Sequence, residues 1–353
     1  MVEGHSVPND VAGLRNRDRL LVAIGVACAA AAIATYAIRS HGDPNNAGDF
    51  TWYWRAGRAI LEGQSPYRVI NPDGPYPRNA GFLYPLPAAL IAAPFALFPL
   101  WHGMAAFSAF AAGTLAFVMT RDGYWRLPLL MSFPMLWCVQ SGQWTPLVVA
   151  AALSPVLACL AIAKPTIAAA AFAHSPTRRF AASATAILLL ALALAPGWPS
   201  EYLAEIRVRA AVNYSIPFLV FPGPLLLLAV ARWRRPEARL LLALACVPQT
   251  MLFYDQLPLL VLARSFREAL VMAVASYVPI AVIFFLPRPP DDSVAATLVI
   301  TSPVIVCLYY LPCLVAVLLR PNVGDVPAFV DRLARYAPQW LRGVPSTEGQ
   351  GPG

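Results

Sequence analysis

The chain has 353 residues, of which 59% are hydrophobic and 12% charged, with a formal net charge of +8. Ordinary soluble domains carry about 25% charged residues, so the composition excludes a soluble globular protein and points to a polytopic membrane protein. The positive charge comes from arginines gathered in short segments rather than along one continuous basic face, which argues against a nucleic-acid partner.

In chain order, the first apolar run is Leu20 to Ile38. It is too long for the apolar part of a signal peptide and reads as a retained anchor, behind Arg15, Arg17 and Arg19. Later runs such as Ala269 to Leu286 and Ala295 to Leu319 approach or exceed the length that crosses a bilayer, and the whole sequence suggests about ten to twelve spans. Thirty-five prolines, many at run ends such as Pro196, Pro199, Pro287 and Pro321, are tolerable because neighbouring helices re-satisfy freed backbone groups in a bundle. The positive-inside rule puts Arg15 to Arg19, Arg178 and Arg179, Arg232 to Arg239, and Arg264 and Arg267 in the cytoplasm. The outside then receives Arg39 to Phe82, Pro196 to Pro217, the neighbourhood of Asp255, and Pro287 to Ser293. Residues 1–19 form a cytoplasmic segment, 20–319 the transmembrane domain, 39–82 its first outer loop, and 320–353 a cytoplasmic tail.

That first loop, about 44 residues long, exceeds the usual length of a structureless connection. From Asp49 to Glu62 it patterns as a short amphipathic helix on the membrane surface, ended by Gly63. Trp52, Tyr53 and Trp54 read either as a sugar-stacking platform or as an interfacial anchor. A proline-rich turn region from Asn71 to Asn79 leads into Tyr84-Pro85-Leu86-Pro87.

Between the loop and Arg178 the number of crossings is odd, and two arrangements satisfy this. Five short crossings put Arg121 to Arg126 outside and Gln143 inside; three crossings with two re-entrant hairpins reverse both. Trp144 to Leu153 and Val156 to Ala163 are short for crossings, which favours the hairpins. Both arrangements place Lys164, the only lysine, near the outer face. An ionisable group in apolar sequence suggests function, the alternative being a lysine that snorkels to water.

Six cysteines (Cys28, Cys138, Cys159, Cys246, Cys307 and Cys313) lie in apolar runs without metal or disulfide spacing and read as small packing residues. His5, His41, His102 and His174 are scattered, so no metal is expected. Asp255, between Pro248 and Pro258, reads as a second site residue or a polar bond across the bundle. In the tail from Pro327 to Leu341, Phe329, Val330, Leu333, Trp340 and Leu341 share one helical face opposite Asp331, Arg332 and Arg335, which suggests a helix on the inner membrane surface.

The Gly48-Asp49-Phe50 start, the aromatic helix, Gly63-Gln64-Ser65-Pro66-Tyr67, the Tyr84-Pro85 run with Pro94, Gly142-Gln143 and Lys164-Pro165-Thr166 together resemble glycosyltransferase family 87. The resemblance covers residues 45–170. It implies an all-α polytopic GT-C-like bundle of about ten to twelve transmembrane helices that uses a polyprenyl-phosphate sugar donor. Partners would be that donor, a lipid or glycan acceptor, and membrane lipids; no cofactor is implied.

Transfer from a lipid phosphate needs a base for the acceptor hydroxyl and cationic groups for the leaving phosphate. The resemblance assigns the base to Asp49, which as an ordinary residue would cap the helix it precedes. Asp43, before Pro44, reads as a turn acid and Glu62 as a solvated one. Lys164 suits a phosphate, with Arg55 and Arg58 either assisting or meeting lipid headgroups. Trp52, Tyr53, Tyr84, Gln143 and Asp255 are expected as sugar or acceptor contacts, Gln143 alternatively as a tie between helices. The function expected is inverting glycosyl transfer at the outer face of a cell membrane, such as a bacterial inner membrane, with both termini cytoplasmic. A transporter or lipid-carrier flippase and a non-catalytic scaffold are the alternatives; no internal repeat with paired broken helices supports transport.

Overall fold

A computed structural model describes residues 16–43, 45–77, 81–213, 215–287, 294–326, 330–332, 336 and 338–344. Arg15, His5, Pro44, Asn79, most of the Pro287-to-Ser293 loop, and Phe329, Leu333 and Arg335 of the tail lie outside these residues. Among the described residues the protein is helical and has no strand, only isolated bridges at Ser215–Gln249 and Val323–Val344.

Four helical stretches are long and apolar enough to cross a membrane: Asn16–Ser40, Leu100–Asp122, Phe266–Phe284 and Ala295–Leu318. A fifth is formed if Arg178–Leu194 and Trp198–Arg207, bent by 101°, count as one span. The rest of the apolar sequence is in shorter pieces, and the prolines explain why. Pro222, Pro224, Pro248 and Pro258 remove backbone donors through the region where Gly223–Arg232 and Tyr254–Leu262 wind as 3-10 helices.

Helix α1 (Asn16–His41) is rich in alanine, and it runs antiparallel to a long helix over Leu100–Met119. Arg19 donates to the carbonyl of Phe117 at 2.8 Å at one end, and Arg39 lies 5.9 Å from the Trp101 ring at the other. Small residues let the backbones approach: a Cβ added at Gly113 would sit 3.2 Å from the Ala23 carbonyl oxygen.

The first loop carries α2 (Phe50–Leu61) and the single turn α3 (Pro66–Val69). Gly63 ends α2 with φ +71°, the left-handed conformation glycine adopts without strain. Phe50, Thr51, Tyr53, Ala56, Gly57 and Ala59 are buried. Part of this face rests on α4 (Leu86–Ala96), where a Cβ at Gly57 would come within 2.9 Å of Ala96 Cβ. The long helix Leu100–Met119 is α5.

The chain then runs through Leu127–Met131 and α6 (Phe133–Ser141) back to the first-loop end of the molecule. Helix α7 (Thr145–Leu153) leaves that end, the turn α8 (Ala158–Ala161) belongs to the returning segment, and α9 (Pro165–His174) leaves again. Arg239 donates to the Ala173 and His174 carbonyls at 2.8 and 3.2 Å, and His174 is within electrostatic reach of Arg126 and Glu237. Arg126, Arg239 and Glu237 therefore share the opposite, arginine-rich end. Helices α10 (Arg178–Leu194) and α11 (Trp198–Asn213) return to the first loop, where Glu201 pairs with Arg68 at 2.8 Å.

Helix α12 (Pro236–Cys246) and the 3-10 segment Tyr254–Leu262 form a hairpin whose two feet are joined by Arg264 and Glu237 at 2.9 Å. Asp255 is at its tip and fully buried. Among the tail residues described, Gln339–Arg342 forms one helical turn; Arg234 reaches the Arg342 carbonyl at 2.6 Å and Asp331 at 2.5 Å. All six cysteines are unpaired thiols: Cys138 and Cys313 are buried, Cys159 is intermediate, and Cys28, Cys246 and Cys307 are exposed on the outside of the bundle rather than packed between helices.

Candidate active site

Two glycines bring the first two polar groups together. Gly48 (φ +59°) precedes α2, and Gly142 (φ +66°) ends α6. A Cβ at Gly48 would lie 3.2 Å from Ser141 Cα, and one at Gly142 would lie 2.5 Å from Phe50 Cβ. Only residues without side chains fit where the helix start and the helix end touch. The next residue in each strand of sequence, Asp49 and Gln143, then face each other, and the Gln143 amide donates to Asp49 Oδ2.

Asp49 makes no side-chain cap to α2. The first turn is satisfied by other means: the Thr51 and Trp52 N–H groups donate to the Gly48 and Asp49 carbonyls at 3.2 and 3.1 Å. Thr51 Oγ1 accepts from the Ala47 N–H at 2.8 Å. The half-buried Asp49 carboxylate is thus directed at Gln143 rather than at its own helix.

Lys164 stands before Pro165, whose ring disfavours a helical residue ahead of it; the break between α8 and α9 falls there, with Lys164 at φ −131° and ψ 77°. Its ammonium donates to Gln143 Oε1 at 3.4 Å and forms an ion pair with Asp255 Oδ1. It also lies 4.4 Å from the centre of the Tyr254 ring. Lys164 is 8% exposed and Asp255 is fully buried. The second oxygen of Asp255 accepts the Thr250 N–H at 2.8 Å. Phe253, just ahead, has φ +74°, a strained value for a side chain of that size; its ring packs edge-on against Phe133 at 4.9 Å, which holds the turn. The result is a continuous chain of Asp49, Gln143, Lys164 and Asp255 drawn from four segments.

Beside it is an aromatic wall. The Tyr53 hydroxyl meets the Tyr84 hydroxyl at 3.0 Å, and Tyr53 packs against Tyr84 and Trp144 with centroids 4.7 and 5.0 Å apart. Tyr67 donates to the Tyr84 carbonyl at 2.9 Å. Tyr53 is fully buried and has no ring face left for a sugar, so it positions Tyr84 instead. Trp52 is half-buried at the edge of the core, whereas the Trp54 indole donates to the Phe98 carbonyl at 2.9 Å.

Both first-loop arginines contact carbonyls of other segments. Arg55 donates to the Pro77 carbonyl, and Arg58 donates to the Ala96 carbonyl at 3.4 Å while lying 5.7 Å from the Trp54 ring. The close approach of Gly57 to α4 sets the rotation of α2 and turns Arg58 away. Three neighbours escaped notice in sequence: Tyr254, Thr250 and Trp144, the last fully buried with an indole N–H that has no hydrogen-bond partner. Tyr254 sits next to Asp255, which was a usable signal; Thr250 contributes only its backbone, which composition does not reveal. No group of acidic, histidine or cysteine side chains suited to a metal occurs among the described residues.

No protein-family model, curated protein or solved structure matches the chain.

Proposed function

We propose that this protein is a membrane-embedded glycosyltransferase that moves a sugar from a polyprenyl-phosphate donor to a hydroxyl of a lipid or glycan acceptor. The observation that carries the reading is the Asp49 carboxylate, which does not cap its helix and is held by Gln143 in a chain that leads to a buried ammonium. Asp49 removes the acceptor proton, the oxygen attacks the anomeric carbon, and the bond to the phosphate breaks on the opposite face with inversion. Lys164 stabilises the charge developing on the departing phosphate, in a site where water is scarce and an ammonium acts strongly. Tyr84 and Gln143 offer hydroxyl and amide contacts to the sugar.

The site opens to the outer side of a cell membrane in this reading, with both termini cytoplasmic. Its support is the distribution of charge: Arg19, Arg126, Arg232 to Arg239, Arg264 and Arg320 gather away from the first loop, as cytoplasmic arginines do. The full bundle of ten to twelve crossings implied by the family resemblance belongs to the same proposal. Helix α9 needs 10 residues to run from Lys164 to His174, about 15 Å. The ammonium is therefore about half a hydrocarbon thickness from the arginine-rich end.

Asp49→Asn tests the reading. Asparagine keeps an acceptor oxygen for Gln143 but takes no proton, so transfer from radiolabelled polyprenyl-phosphate sugars falls by about 10² to 10⁴ while the melting temperature holds. Near-normal transfer in the folded variant would remove Asp49 as the base. A second reading, transport of a lipid carrier, draws on the depth of the Lys164–Asp255 pair at a hairpin tip. It takes precedence if Asp49→Asn and Lys164→Ala leave transfer intact and both stop carrier movement in vesicles.

A further inference from the structure

Two of the long apolar helices, Phe266–Phe284 and Ala295–Leu318, leave a cavity of about 680 Å³ between them at the arginine-rich end. Val271 and Ala275 form one wall, Ala316 and Leu319 the other, and Tyr309 and Cys313 the inner side. Val271 and Leu319 are exposed whereas Tyr309 and Cys313 are buried, so the cavity is a groove that opens sideways from the bundle. In a chain that spans a membrane, that opening faces lipid. From Arg267 to Ala275 the groove follows the helix Phe266–Ala275 for about 12 Å at 1.5 Å per residue. One leaflet of a bilayer holds about 15 Å of hydrocarbon, so the groove has the depth of a single acyl chain.

The foot of the groove is charged. Arg320 crosses it, donating to Glu268 Oε2 at 3.1 Å and to Glu237 Oε1 at 3.3 Å. Arg264 donates to the same Glu237 oxygen at 2.9 Å, and Arg235 lies within electrostatic reach of both Arg264 and Arg320. Glu237 and Glu268 thus face Arg235, Arg264, Arg267 and Arg320, and positive charge is in excess. Arg267 is the cation left over. It lines the groove, its side chain is exposed, and among the described residues it makes no hydrogen bond or ion pair.

An apolar groove one leaflet deep with surplus positive charge at its foot selects its occupant. A zwitterionic head would bring a cation of its own to a place already rich in guanidinium. A phosphate with net negative charge meets the fork of Arg267, which suits its oxygens. The sideways opening leaves a second chain in the surrounding bilayer, so a two-chain lipid fits. We infer that this groove holds one acyl chain of an anionic phospholipid, with the phosphate on Arg267. Basic pockets between membrane helices on the cytoplasmic side hold such headgroups. The inference does not depend on the transfer reaction, and the groove contains none of the residues assigned to that reaction.

Native mass spectrometry of the full-length protein, stripped of lipid in detergent, counts bound lipid without any turnover. The probes are palmitoyl-oleoyl phosphatidylglycerol, phosphatidylcholine with the same chains, and glycerol phosphate, which is a headgroup without chains. The expected result is a first phosphatidylglycerol bound at least tenfold tighter than phosphatidylcholine and not displaced by glycerol phosphate. Arg267→Gln weakens phosphatidylglycerol about tenfold, the worth of one charge-assisted hydrogen bond, and leaves phosphatidylcholine unchanged. Arg178→Gln removes another exposed arginine and leaves both lipids unchanged. Ala275→Phe, at an exposed position in the groove wall, occupies the place of the chain and also weakens phosphatidylglycerol, which keeps the test open if Arg267→Gln does not fold. Circular dichroism checks the fold of each variant. Equal binding of the two lipids, equal losses from Arg267→Gln and Arg178→Gln, displacement by glycerol phosphate, or unchanged affinity in folded Ala275→Phe would each overturn the assignment.

Discussion

Lys164 and Asp255 form an ion pair inside the bundle, and breaking it from either side has a calculable cost. The side chains are 10% and 1% exposed, so neither ion is hydrated when its partner is removed. Deleting one member of a buried pair costs roughly 3–5 kcal/mol, because the other charge is left uncompensated. In Asp255→Asn the ammonium retains Gln143 Oε1 and the Tyr254 ring, a cation–π contact worth about 2 kcal/mol when desolvated. In Lys164→Met the carboxylate retains only the Thr250 N–H, so this variant loses more. The double variant leaves no orphaned charge and should recover about 2–3 kcal/mol relative to the sum.

The assay is unfolding in detergent, followed by circular dichroism and by the monodisperse fraction. For a chain of 353 residues a single loss of about 4 kcal/mol lowers Tm by about 5 °C, taking about 2.1 cal/mol/K of unfolding entropy per residue. The exposed pair Arg68–Glu201, with Arg68 79% exposed, serves as the control and should couple by less than about 1 kcal/mol. Losses under about 1 kcal/mol for both single variants, adding without coupling, would refute the claim that the site is dry.

Gly142→Ala forces a side chain into a left-handed position 2.5 Å from Phe50 Cβ. It should cost at least about 1–3 kcal/mol and, by displacing Gln143, lower transfer activity more than it lowers Tm. Glu237, at the arginine-rich end and outside the four long spans, is opposed by burial, but its own backbone N–H, Arg264 and Arg320 outweigh that and hold its pKa below the usual carboxylate value. Its contribution to stability is therefore present above the unfolded pKa and lost as pH falls through the folded one. Glu237→Gln should lower Tm at pH 7 and flatten the decline below about pH 4.5. For the crossings around Gln143, single cysteines at the exposed positions Gln140 and Tyr124, in a background without native cysteines, should react with an impermeant maleimide from outside and only after permeabilisation, respectively. The reverse pattern would place Gln143 in the cytoplasm.

Asp49 and Gln143 were picked out by the motifs that carry the family resemblance and Lys164 as the only lysine, set in apolar sequence; in the structure a left-handed glycine precedes each of the first two and a proline follows the third. Asp255 was visible as a lone acid in apolar sequence, but its partner was not, since it lies 91 residues from Lys164 in the chain and reaches it only through a proline-broken hairpin. For the two first-loop arginines the sequence left two roles open, and the rotation of α2 that decides their neighbours depends on the contact of Gly57 with Ala92, Ala93 and Ala96, a fact about another element. The count of ten to twelve spans and the choice between short crossings and hairpins came from run lengths, which do not record that prolines divide an apolar run into short α and 3-10 pieces. The exposed cysteines show the same limit, for hydropathy separates membrane from water but not the inside of a bundle from its lipid-facing surface.

The amide between Asp49 and Lys164 has a consequence for chemistry. A carboxylate in direct contact with an ammonium would be less basic, since the charge that stabilises it also resists its protonation. Gln143 separates the two ions while joining them: its NH2 can only donate, so it turns toward Asp49, and its oxygen can only accept, so it turns toward Lys164. The neighbouring charges thus determine the amide orientation, and the reversed amide would put donor against donor and acceptor against acceptor. Asp255 pairs with Lys164 from the other side. In the proposed reaction the carboxylate and the ammonium therefore act from opposite ends of one amide.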